Sequence, residues 1–208
     1  MLVVIGRPAV RSGIKQGLSE DPGIEIVGEA VDCQEWPATA AELRPDVALV
    51  GAPVLAQVPA PPPDADTRTP VLAAMPEYRD AYLSVAVDAG ALGYVLEDID
   101  PTEIAAALHR VAAGQAQWSR DDRVRARHWQ ETVGQRWRNL TERERAVLRL
   151  LARGMDTRAI ANTLTLAPKT VENYIGRILD KLALESRAQA VVWYLEELPP
   201  SIRGDERG

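Results

Sequence analysis

Two hydrophobic periods alternate along the first half of this chain. Short runs rich in β-branched and aliphatic residues stand at positions 2–5, 24–28, 47–50, 71–75 and 93–96. Between them apolar residues recur at helical spacing: Val10, Ile14 and Leu18 after the first run, Ala81, Val85 and Ala89 before the fifth, and Ile104, Leu108 and Val111 after it. A period of two puts neighbouring side chains on opposite faces of a strand, and a period near 3.6 gathers them on one face of a helix. Five strands alternating with helices predict an α/β, doubly wound, parallel five-stranded sheet. Asp100, Pro101 and Glu103 are the N-cap, first residue and third residue of its final helix.

One gap breaks the pattern. Residues 52–70 contain six prolines, each of which removes a backbone donor and fixes φ. No regular third helix is expected there beyond a turn at 53–57, and Pro59–Pro63 reads as an extended, exposed loop. The apolar start, Met1-Leu2-Val3-Val4-Ile5, has no basic flank and no long hydrophobic core. It reads as a buried strand rather than a signal or membrane segment, so a cytoplasmic protein is expected. Cys33 is the only cysteine and His109 and His128 the only histidines, which excludes an internal disulfide and leaves no metal-ligand cluster. No cofactor is expected.

The second half is helical and carries its own punctuation. Thr141-Glu142-Arg143-Glu144 is a capping box opening a helix through Val147, Leu148 and Leu151, with Gly154 placed to end it. Asp156 caps a short helix containing Ile160 and Leu164, Thr165-Leu166-Ala167 forms a tight turn, and Pro168 starts a longer helix with Val171, Ile175, Ile178, Leu179 and Leu182 on one stripe. Ser186 with Gln189 caps a fourth helix. Two short helices about a tight turn, the second polar outside, describe a helix-turn-helix. Charge agrees: residues 1–114 carry seven Lys/Arg against seventeen Asp/Glu, whereas residues 115–208 are net basic. Nucleic-acid contact is therefore assigned to the second half.

The residues at 140–144, 160–161, 169–174, 178–182 and 186–190 resemble the DNA-binding domain of LuxR/NarL-type regulators. Residues 1–114 resemble the receiver of NarL/FixJ response regulators, through Arg7-Pro8-Ala9-Val10-Arg11, Leu43-Arg44-Pro45-Asp46 and Ala89-Gly90-Ala91-Leu92-Gly93-Tyr94. The resemblance implies a phosphorylation pocket with a carboxylate acceptor, an acidic pair for Mg²⁺, a hydroxyl and a lysine. In this register the acidic pair falls on Ile5 and Gly6, the acceptor on Gly51, the hydroxyl on Met75 and the lysine on Glu97, so all five are replaced. Asp46 lies at the wrong end of its strand, about 17 Å away at the usual rise per residue. Tyr94 and the last helix fall on the surface that phosphorylation remodels in relatives, which implies a dimer or switch surface.

Setting Val171, Ile175, Ile178 and Leu182 inward turns Lys169, Asn173, Gly176 and Arg177 outward, flanked by Thr170 and Glu172. Lys169 suits guanine, Asn173 adenine and Glu172 the cytosine amino group. Thr170, Arg177, Lys181 and Arg158 suit phosphates. Trp129, Val133 and Trp137 mark an amphipathic linker helix, packed either on its own chain or on a partner. The organisation expected is a receiver-like domain at 1–114, a linker at 115–139, a helix-turn-helix domain at 140–199 and a disordered tail at 200–208. The function expected is that of a non-enzymatic, phosphorylation-independent transcription regulator that binds double-stranded DNA as a homodimer. The alternatives are a one-component sensor whose vacated pocket takes a small molecule or partner protein, and an interaction protein that sequesters another regulator.

Overall fold

The computed structural model describes residues 1–57 and 69–203. The Pro59–Pro63 stretch lies outside the described residues. Two compact units divide the chain, Met1–Arg127 and His128–Gly208. Among the described residues no helix is long and apolar enough to cross a membrane.

The first unit is the expected parallel sheet. Its strands are β1 (Leu2–Val4), β2 (Gly28–Ala30), β3 (Ala48–Gly51), β4 (Val71–Met75) and β5 (Gly93–Leu96), in spatial order β2-β1-β3-β4-β5. Alternate residues of β1 feed opposite layers. Val3 and Ile5 pack with Ile14 and Leu18 of α1 (Pro8–Leu18) and with Ile104, Leu108 and Val111 of α5 (Pro101–Ala112). Leu2 and Val4 face the layer that holds Trp36 and Ala40 of α2 (Glu35–Leu43), Val54 of α3 (Ala52–Leu55) and Ala86 of α4 (Asp80–Asp88). Asp100 caps α5, accepting from the Thr102 amide at 2.8 Å and the Thr102 hydroxyl at 2.7 Å.

The second strand departs from the expected 24–28. Residues 24–27 run beside Met1, whose ammonium donates to the Glu25 carbonyl and whose carbonyl accepts from the Val27 amide at 2.9 Å. The ladder with β1 begins only at Gly28, paired with Leu2, because β1 itself begins there. The turn expected at 53–57 is the four-residue α3, starting one residue earlier.

The second unit contains a π turn (Gln130–Gly134), α7 (Gln135–Asn139), α8 (Glu142–Ala152), α9 (Thr157–Leu164), α10 (Pro168–Leu182), α11 (Arg187–Glu197) and α12 (Pro200–Arg203). Both halves of the Thr141/Glu144 capping box are formed. Asp156 accepts from the Ala159 amide at 2.8 Å and Ser186 from the Gln189 amide at 3.2 Å. Residues 200–203, expected as disordered tail, form α12.

The segment expected as a separate linker is divided between the units. Up to residue 127 it belongs to the first, where the Gln117 amide donates to the Leu92 carbonyl, the Trp118 indole donates to the Ala91 carbonyl, and Ala126 of α6 (Arg120–Trp129) is buried beside Tyr82 and Leu83. From His128 it belongs to the second, where Trp137 lies 6.0 Å from Tyr194 and under Arg145. The π turn offsets the expected Trp129-Val133-Trp137 stripe. It brings the Trp129 ring over Gly134, where an added Cβ would stand 2.9 Å from the ring.

Candidate nucleic-acid interface and sheet-edge pocket

The tight turn between α9 and α10 is made by Thr165, held at φ 55°, and closed by the Leu166 amide donating to the Ala161 carbonyl at 2.8 Å. Pro168 then occupies the first position of α10. Val171, Ile175, Ile178 and Leu182 are buried, which anchors the helix and leaves Lys169, Glu172, Asn173, Gly176 and Arg177 exposed on the opposite side. Thr170 is half-buried on the flank, and Arg158 is exposed on α9. The outer face thus carries a lysine, a glutamate, an amide and an arginine within two to three turns.

Two internal contacts shape that face. Lys169 Nζ pairs with Glu172 Oε2 at 3.1 Å, with both side chains mostly in solvent. Such a pair contributes less than about 1 kcal/mol and is easily exchanged for a base or a phosphate. The Arg177 guanidinium sits 6.0 Å from the Tyr174 ring.

Lys181, expected as a phosphate contact, is engaged within its own unit instead. Its Nζ donates to the Asn139 carbonyl at 3.0 Å and to Glu144 Oε2 at 2.7 Å. The Glu144 side chain is 3% exposed, and the same oxygen also closes the capping box by accepting from the Thr141 amide at 2.7 Å. Burial pushes the Glu144 pKa up, but the bonds from Lys181 and Thr141 outweigh it and hold the carboxyl below its ordinary range. Sequence reading found the cap and missed the lysine, because their meeting depends on how α8 and α10 cross.

In the first unit the five pocket positions gather at the carboxyl ends of the strands. The register pairs Val4 with Val50, Gly51 with Ala74 and Met75 with Leu96, and the Glu97 amide donates to the Met75 carbonyl at 3.0 Å. Ile5 and Met75 are buried in apolar clusters, and Gly6 is exposed. Gly51 is buried, and an added Cβ there would meet only ordinary contacts from 3.6 Å outward. Glu97 is the one acid among the five. Its side chain is 6% exposed and forms an ion pair with Arg7, the residue that immediately precedes α1. Arg11 donates to the Ile5 carbonyl and pairs with Glu29, as does Lys15. Nothing in the sequence announces the Arg7–Glu97 pair, since β1 and β5 are not neighbours in the sheet.

Tyr94, expected on a dimer or switch surface, is half-buried. Its ring lies in tilted contact with Tyr78, at 6.0 Å, and Trp118, at 5.5 Å.

A doubly wound sheet followed by a helical unit with a polar, solvent-facing second helix defines a two-part regulator of the receiver and helix-turn-helix class. Residues 138–194 match the family described as bacterial regulatory proteins, luxR family. The chain is 33% identical over 213 residues to the DNA-binding transcriptional activator DevR/DosR of Mycobacterium tuberculosis, covering 94% of each. It is 30% identical over 201 residues to the response regulator protein VraR of Staphylococcus aureus, covering 93% of this chain and 94% of that one. Its fold is similar to that of RcsB from Salmonella enterica serovar Typhimurium bound to promoter rprA, with a TM-score of 0.50 and 20% identity over 92% of this chain and 96% of that one. The chain belongs to the luxR-type response-regulator family of DNA-binding transcription factors.

Proposed function

We propose that this regulator binds specific DNA sites as a homodimer without phosphorylation, its receiver-like domain having lost the chemistry that the modification needs. The single observation that carries the reading is the carboxyl edge of the sheet. Gly51 offers no nucleophile at the end of β3, and the only acid among the five positions, Glu97, is shielded from solvent and tied to Arg7. A carboxylate already neutralised by a guanidinium is a poor phosphoryl acceptor, and two glycines, an isoleucine and a methionine supply no side-chain Mg²⁺ ligand.

DNA reading rests on α10, with Lys169, Asn173 and Glu172 at base edges and Thr170, Arg177 and Arg158 at phosphates. Pairing of two copies is supported by α11, which leaves Val192 and Leu195, one turn apart, about half exposed (49% and 47%). A cleft of about 400 Å³ beside β5, lined by Tyr94, Leu96, Glu103, Arg110, Gln117 and Asp122, includes none of the five pocket positions. The sensor alternative, a ligand in the vacated pocket, gains no support from it.

The test combines a phosphodonor with DNA. Incubation with Mg²⁺ and acetyl phosphate is expected to leave the mass of the protein and its affinity for sites selected from genomic DNA unchanged. A gain of one phosphoryl group with tighter binding overturns the reading. Gly51→Asp alone is expected to remain unmodified, since the metal ligands and the lysine are still missing.

A further inference from the structure

Gly176 stands in the middle of α10, where nothing inside the protein calls for a glycine. Its φ is not positive, so no left-handed turn requires it. A Cβ built there meets nothing within 4 Å, so no neighbouring element needs the space. Glycine inside a helix lowers the folding equilibrium constant about two- to fivefold relative to alanine. Most other glycines among the described residues answer to the fold. Gly90, Gly114 and Gly154 have positive φ, and a side chain at Gly17, Gly28, Gly93 or Gly134 would run into Pro101, Leu43, Gln117 or Trp129. Gly13 shares the open space of Gly176, but it lies on α1 of the first unit and not on the helix-turn-helix.

The surroundings of Gly176 say what the missing side chain leaves room for. Lys169, Asn173 and Gly176 follow at i, i+4 and i+7, so they share one line along the exposed side of α10. Asp180, also exposed, continues that line one turn further. Between the Asn173 amide and this acid the helix shows only backbone. Its flanks are not bare, since Glu172 stands on one side, paired with Lys169, and Arg177 on the other, near the Tyr174 ring. The result is a notch in an otherwise long-chained polar face. A helix with its side chains is about 10–12 Å across, against about 2.3 Å from axis to Cα, and the major groove is about 12 Å wide. That fit has almost no slack. A notch of one side chain's depth therefore decides whether the helix enters fully or is held out by the groove wall.

We propose that Gly176 is a positioning residue for DNA binding: its missing side chain admits the sugar–phosphate wall of the major groove and lets α10 seat deeply enough for Lys169 and Asn173 to reach base edges. The proposal rests on the reading of α10 as the DNA-contacting helix. It adds the depth of seating, which no side-chain contact supplies.

The test uses the full chain, with hydrogen exchange for the helix and titration of DNA at fixed salt for binding. Gly176→Ala is expected to raise the protection of the α10 amides about two- to fivefold and yet to lower affinity for sites selected from genomic DNA about tenfold. Gly176→Leu, with a longer side chain and a good helix former, is expected to lower it about a hundredfold, within the range of losing one base contact. Binding to random DNA, which does not require full seating, should change little in either. A helix made firmer while specific binding weakens is a combination that a merely structural role does not produce. Unaltered specific affinity in both Gly176 variants, with affinity lost in Lys169→Ala and Asn173→Ala, overturns the seating role alone. Lost affinity accompanied by lost protection of α10 also overturns it, as a folding defect. Unaltered affinity in Lys169→Ala and Asn173→Ala overturns the reading of α10 itself and the seating role with it.

Discussion

Replacing Lys181 by methionine separates a structural role from a DNA-contacting one. In the structure its Nζ satisfies Glu144, whose side chain is 3% exposed and whose Oε2 also receives the Thr141 amide. Lys181→Met leaves that carboxylate buried with one backbone donor. Breaking a fully buried pair costs about 3–5 kcal/mol. The lysine is 35% exposed, so water relieves part of the loss, and a destabilisation of about 2–3 kcal/mol is expected. Glu144→Gln is expected to cost less, about 1 kcal/mol, because the amide oxygen still accepts from Thr141 and the lysine swings into solvent. The double variant should recover about 1–2 kcal/mol relative to the sum of the singles. Hydrogen-exchange protection of α8 and α10 in the full chain measures these free energies region by region.

Acid provides a second reading of the same pair. The pKa of Glu144 is depressed in the folded state, so its contribution is fully present above the ordinary glutamate value of about 4.3 and is lost as pH falls below it. Protection of α8 and α10 is therefore expected to drop over that acid range in the wild type and to be flatter in Glu144→Gln. Binding to specific DNA should keep its salt slope in Lys181→Met, once measured where the variant is folded. A slope reduced by about one unit with exchange protection intact would refute the reasoning and return Lys181 to the phosphate contacts.

Three further outcomes follow from the recognition face and the π turn. Lys169→Ala and Asn173→Ala should each cost about 1–3 kcal/mol on the specific site and much less on random DNA, whereas Arg177→Ala should weaken both alike and lower the salt slope by about one unit, all readable by titration at several salt concentrations. Glu172→Ala removes a carboxylate that repels phosphate and pairs with Lys169, so non-specific affinity should rise while discrimination at one base pair relaxes; loss of all binding with the fold intact would contradict the orientation of α10. Gly134→Ala sets a methyl 2.9 Å from the buried Trp129 ring and should destabilise the second unit by about 1–3 kcal/mol in thermal unfolding, with a changed tryptophan spectrum.

What could be read from the sequence was local in origin. The capping box at Thr141, the caps at Asp100, Asp156 and Ser186, and Pro168 each act within one turn, so the starts of the helices they begin were legible. The burial of Val171, Ile175, Ile178 and Leu182 followed from a single period. What escaped was long-range. Arg7 with Glu97, Glu144 with Lys181, and Asp122 with Tyr78 join residues whose proximity is decided by the crossing of separate elements, and no spacing rule encodes it. Lys181 shows the consequence: a helical wheel places a charged residue on a face but does not say which neighbouring helix claims its charge. The linker failed for a related reason, since its composition gives no sign that two adjacent stretches of it pack on different units.

The sheet edge also bears on how far the proposed loss of phosphorylation is reversible. Ile5 is 2% exposed and packs with Val3, Ile14 and Leu49, so an aspartate there would bury a carboxylate in an apolar cluster with no partner. At Gly6 a Cβ would stand 3.2 Å from the Val31 carbonyl, tight enough to require movement of β2 or its loop. Gly51 alone accepts a side chain without strain, yet an acid there gains neither metal nor lysine. Glu97→Lys would in turn face Arg7 and replace an ion pair by repulsion. Each of these four single steps back toward a phosphate-accepting pocket is thus neutral or destabilising by itself. A functional pocket requires Ile5, Gly6, Gly51, Met75, Arg7 and Glu97 to change together, and partial revertants should remain unphosphorylated, those altered at Ile5, Gly6 or Glu97 folding less stably than the present chain and Gly51→Asp about as stably.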